Sequence, residues 1–124
     1  MQLIGHWLVP YEPLFWVQSK NEISNERQNL FKYDEDAIGR AKELNAEFSV
    51  ICHYVSEAII ANAAGAKFIV CSTHEAKEIA DLAQFYLFDS KIACVIKSED
   101  ELENLAKFGV DAAIFRQGII GGNF

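Results

Sequence analysis

The sequence predicts an α/β fold: a Rossmann-like, doubly wound, mainly parallel sheet of five to six strands, forming one domain over residues 1–124. Three observations lead to it. Short apolar runs recur from residue 30 onward, amphipathic stretches separate them, and glycines or capping residues punctuate the joins. A chain of 124 residues suffices for one core, and 51% hydrophobic against 23% charged residues is the balance of a globular protein.

The elements follow in order. Leu3 to Gly5 reads as a first strand. Residues 1–29 are otherwise atypical: HWLVPYEPLFWVQ gathers Trp7, Tyr11, Phe15 and Trp16 around Pro10 and Pro13, which interrupt helix and strand alike, and it reads as a loop plus a strand. Regular βα units fill 30–124. Strands are expected at Leu30 to Tyr33, Phe48 to Cys52, Phe68 to Cys71, Ile92 to Ile96 and Ala112 to Phe115, all continuous apolar runs of the kind that a strand covered on both faces requires. A helix over Glu35 to Leu44 is capped by Asp34 and carries Ile38, Ala41 and Leu44 on one face. The next, Glu57 to Ala64, is almost wholly apolar and stops at Gly65, and the third, Glu75 to Tyr86, has Ala76, Ile79, Ala80 and Ala83 on one stripe. Ser98 and Glu101 form a capping box that opens the fourth, which leaves at Gly109; Ser72 and Glu75 have the same spacing.

Charge narrows the function classes. With 18 acidic against 11 basic residues, a net charge of −7, the average field repels phosphate backbones and anionic membrane surfaces, so no nucleic-acid partner is expected. Three cysteines without CxxC spacing point to a reducing compartment, and MQLIGHWLVP lacks the basic start and apolar middle of a secretory signal. The expectation is cytoplasmic.

In a parallel sheet, ligands bind beyond the carboxyl ends of the strands. That edge holds Gly5 and His6, Asp34, Cys52 and His53, Ser72 to His74, Lys97 and Ser98, and Arg116 and Gln117. Cys52, His53, Cys71 and His74 are residue types that ligate zinc, yet the cysteines sit in apolar runs, where a small hydrophobe is the expected role, so no metal is assigned. A Cys71 thiol with His53 or His74 as base would make a nucleophile. Lys97 is the one lysine at the proper edge for Schiff-base chemistry, which keeps a half-barrel, aldolase-like enzyme as the alternative. A third reading is a protein-interaction module built on Trp7, Phe15 and Trp16.

The order of motifs over residues 29–122 resembles the RCK domains, also called KTN or TrkA-N, that regulate potassium channels and transporters. LFKYDEDAIGRAKELNAEFSVIC is similar to that family's second strand, acidic ribose residue, helix and third strand. ICHYVSEAIIANAAGAKFIVCST is similar to its next turn, helix and strand, and KIACVIKSEDELENLAKFGVDAAIFRQGIIGG to its closing segment. The resemblance implies a non-enzymatic, ligand-sensing regulatory domain. It would act through dimers or larger homo-oligomers at the inner face of a membrane, with a potassium channel or transporter subunit as partner. The implied cofactor is NAD or an adenine nucleotide, at a site comprising Gly5, Asp34 as the ribose acid, His53 where the family has Asp, Thr73 and His74. Gly5 stands alone where the family has a three-glycine fingerprint, and the nucleotide is the function such a departure removes first.

Overall fold

The helical stripes and the apolar strands bury against each other on one side of the sheet only. A computed structural model describes all 124 residues, Met1–Phe124. The elements run β1 (Gln2–Ile4), β2 (Leu14–Trp16), β3 (Gln28–Lys32), α1 (Glu35–Glu43), β4 (Phe48–Ile51), α2 (Val55–Ala64), β5 (Phe68–Cys71), α3 (Ala76–Phe85), β6 (Lys91–Ile96), α4 (Leu102–Phe108), β7 (Ala112–Phe115) and β8 (Ile119–Ile120). Every paired strand is parallel, in the order β1-β7-β6-β5-β4-β3-β2-β8.

Two expectations are corrected by this topology. The sheet has eight strands rather than five to six, because Leu14–Trp16 pairs β3 just after Pro13, and Ile119–Ile120 pairs β2 between glycines. The sheet is also not doubly wound. From β2 to β7 each strand lies beside its sequence neighbour, without the reversal that creates a Rossmann crevice. Asp34 consequently follows the third strand of the chain, not the second.

The physical reason lies in two separate cores. The larger takes buried apolar residues from all four helices, among them Ile38, Ala61, Ile79 and Leu105, and packs them against outward-facing strand residues such as Phe31, Val50 and Cys94. The smaller contains strand residues alone: Ile4, Leu14, Leu30, Phe68, Val70, Ala93, Ala112, Ile114 and Ile119. With no helix on that face, the sheet curls into a half-barrel so that its strands bury one another's side chains. Each fully buried Leu, Ile or Phe there contributes roughly 1.5–3 kcal/mol.

The curl brings the edges together at two glycines. Gly5, at φ +100°, ends β1 against Gly118, which precedes β8; a Cβ on Gly5 would lie 2.5 Å from the Gly118 nitrogen, and one on Gly118 2.7 Å from the Ile4 carbonyl oxygen. The segment from β7 through β8 thus pairs β6 and β1 with its first half and β2 with its second.

Local signals behave as the sequence implies at most joins. Ser98 and Glu101 form the reciprocal capping box, and Gly65 and Gly109 leave their helices at φ +97° and +82°. Ser72 and Glu75 make only half of one: the Glu75 carboxylate accepts from the Ser72 backbone and hydroxyl, while the Ser72 side chain caps no amide, and α3 starts at Ala76. No helix is long and apolar enough to cross a membrane.

Candidate functional site

All strands being parallel, their carboxyl ends share one rim. Four βα turns on this rim are closed by the chain's own carboxylates. Asp34 Oδ1 accepts from the amides of Asp36 at 2.9 Å and Ala37 at 3.2 Å. Glu57 takes the His53 amide at 2.8 Å, Glu75 the Ser72 amide at 3.3 Å, and Glu101 the amides of Lys97 at 2.8 Å and Ser98 at 3.2 Å. Free amides at helix starts are what ordinarily attract phosphate. Here several are spent on carboxylates, and the negative charge that a pyrophosphate would bring is already in place.

The five residues expected to form a nucleotide site are dispersed along this rim. Gly5 lies at the ends of β1 and β7. Asp34 is the α1 cap and lines a cleft of about 370 Å³ that is walled by Trp16 and Tyr33 and also lined by Lys20 and Lys32. His53 is exposed on the β4–α2 turn, its Nδ1 4.0 Å from Glu75. Thr73 and His74 occupy the turn after β5, where His74 is exposed.

A larger cleft of about 540 Å³ opens where β1, β6 and β7 end, lined by His6, Trp7, Tyr11, Lys97, Glu99, Gln117 and neighbours that include Gly5. His6 fixes its wall. The Leu8 amide donates to His6 Nδ1 at 3.2 Å, which places the ring proton on Nε2, and Nε2 donates to Glu99 at 3.2 Å. The ring packs edge-on against Phe115 with centroids 5.3 Å apart. Both nitrogens are engaged, so His6 holds the loop rather than acting as a base. The Tyr11 hydroxyl donates to the Gln117 carbonyl at 3.3 Å, tying the aromatic segment to the end of β7. Trp7 is left 85% exposed, and Lys97 is exposed with no carboxylate within ion-pair reach. Lys97 and Gln117 are legible in the sequence as strand-end residues; Trp7 and Tyr11 show only as an aromatic cluster.

The thiols take no part in the rim. Cys71 Sγ and Cys94 Sγ lie 3.8 Å apart in register on β5 and β6, inside the helix-facing core. Contact with Cys94 and burial raise the Cys71 thiol far above its ordinary range, and burial pushes Cys52 up to about 12. A thiol held in its protonated form is a poor nucleophile and metal ligand. No three His, Cys, Asp or Glu side chains gather in an arrangement that could hold a metal ion, so the zinc constellation does not assemble.

Fold and rim together define a singly wound, half-barrel α/β domain with an aromatic- and lysine-lined cleft at the carboxyl edge. No protein-family model matches the chain, and no curated protein matches it.

Proposed function

We propose that the chain is a non-enzymatic ligand-sensing domain that holds a small organic anion in the cleft between β1, β6 and β7 and acts through self-association. The observation that carries this reading is the pairing, in one cleft, of an exposed indole with a lysine that makes no ion pair, while the one carboxylate of the lining, Glu99, is taken up by His6. A flat or apolar group would lie on Trp7 while an anionic group faces Lys97. Binding without turnover is supported by the burial of the three thiols and by the engagement of both His6 nitrogens. Self-association is supported by exposed apolar side chains, Ile59 and Ile60 on α2 and Phe85, Tyr86 and Leu87 at the end of α3. A potassium channel or transporter as the regulated partner rests on motif order alone.

Titration of small carboxylates and nucleotides, followed by tryptophan emission and thermal shift, tests the reading. A saturable ligand whose binding drops about tenfold in Lys97→Ala and Trp7→Ala is expected. A nucleotide response abolished by Asp34→Ala but untouched by Lys97→Ala would instead support the cleft at the end of β3, as the family resemblance implies.

The sequential strand order favours one second reading, a half-barrel enzyme using Lys97 as a Schiff-base amine at the end of β6. Lys97 is exposed, which leaves it without the desolvation such an amine relies on. Borohydride trapping with small aldehydes decides: a stable adduct at Lys97 would establish the enzyme reading and overturn the sensing one.

A further inference from the structure

The turn after β8 stands apart from the four turns closed by carboxylates. Gly121 and Gly122 have φ +84° and +74°, a backbone conformation that glycine adopts without strain. At Gly122 a Cβ would also press on the Trp16 and Phe124 rings, whereas at Gly121 it would meet only Trp16 Cβ at 3.6 Å, so the turn shape rather than space selects that glycine. The amides of Gly121, Gly122, Asn123 and Phe124 donate no hydrogen bond to backbone or side chain. Arg116 lines the same cleft of about 200 Å³, with Ile119 and Phe124 as its apolar wall. Its guanidinium makes no ion pair, and no carboxylate side chain lines the cleft, in a chain whose net charge is −7.

Consecutive backbone amides in a glycine turn and an arginine fork are complementary to a tetrahedral oxyanion, which offers more acceptor oxygens than a carboxylate. We propose that this turn binds the phosphate group of a small phosphorylated molecule, with Arg116 as the bidentate donor and the amides of the Gly121–Gly122 turn supplying the remaining hydrogen bonds. The site is separate from the Lys97 cleft. It also differs in kind from the four helix starts, where the chain's own carboxylates would repel the same group.

The test uses the full chain carrying Trp7→Phe, which leaves Trp16 as the only tryptophan. Trp16 packs on Phe124 with ring centroids 5.1 Å apart and borders both glycines, so its emission reads the turn. Inorganic phosphate and glycerol phosphate are titrated separately. Saturable binding is expected for both, tighter for the ester, weakened about tenfold or more in Arg116→Gln, partly retained in Arg116→Lys, and unchanged in Lys97→Ala. Arg116→Gln that binds as well as the parent overturns the site. Tighter binding of the free ion than of the ester overturns the phosphorylated molecule as its occupant. Loss of binding in Lys97→Ala with Arg116→Gln intact would move the phosphate to the other cleft.

Discussion

Replacing Asp34 separates a helix cap from a ligand contact. In the structure a single oxygen, Oδ1, receives two amides of the first turn of α1, and the residue itself is exposed. Asp34→Ala removes both hydrogen bonds and returns the amides to water. Comparable cap deletions cost about 1 kcal/mol, within a range of roughly 0.5–2. Glu35 and Asp36 keep negative charge in the first turn, so the loss is one of hydrogen bonding more than of dipole compensation. The expectation is therefore about 1–1.5 kcal/mol, or a fall of about 3–6 °C in Tm for a domain of this size. Asp34→Ser restores an acceptor at the same position and should recover all but a few tenths of a kcal/mol. Urea melts of the three proteins at pH 7 measure this directly. Equal destabilisation by Ala and Ser would refute the capping argument, because serine keeps the hydrogen bond and discards only the charge.

Two further outcomes follow from the cores. Gly5→Ala forces a side chain into a positive φ and places its Cβ 2.5 Å from a backbone nitrogen, so it should cost about 3 kcal/mol or more in urea melts; a loss under about 1 kcal/mol would mean the β1 seam yields freely. Cys52 and Cys71 keep their protons in the fold beyond the value of an unfolded thiol, 9.0, Cys52 to about 12. The folded chain then binds more protons than the unfolded one above that value. Stability, full below pH 9, should fall as pH rises toward 12, by at most about 1.4 kcal/mol per pH unit for each thiol. Cys52→Ala should flatten the slope measured between pH 9 and 11, and an unchanged slope would show that Cys52 titrates normally.

Much of the fold was written in local chemistry. The strands from Leu30 onward, the Ser98–Glu101 box and the exit glycines Gly65 and Gly109 depend on residues within one turn of each other, and they stand where the sequence places them. Strand order depends on how apolar faces are covered, which no local pattern encodes. An uninterrupted run such as FIVC requires burial on both sides, and a second helical layer or the sheet's own curl satisfies it equally. The inner cluster of Ile4, Phe68, Ile114 and their partners shows which one applies. The loop plus strand read in HWLVPYEPLFWVQ has its strand at Leu14–Trp16, whose bounds three residues are too few to mark by period, and Ile119–Ile120, with two, gives no periodic signal at all. At the rim, the capping role of Asp34 was legible, whereas the meeting of Trp7 and Tyr11 with Lys97 depends on a loop that crosses from β1 to β2 and on the Tyr11–Gln117 bond.

The glycine contact between Gly5 and Gly118 lies where the two ends of the chain meet. Pairings from β2 to β7 join strands close in sequence, with low loop-closure cost, whereas β1 with β7 and β2 with β8 join the first residues of the chain to the last. The seam is the long-range closure of the sheet, and loop-closure cost leads us to expect it to form after the central strands and open before them. Gly5 lines the Lys97 cleft, and the Gly121–Gly122 turn lines the cleft beside Arg116. A molecule held in either cleft would fasten the chain's two ends together, and its binding energy would appear as resistance of the half-barrel to opening.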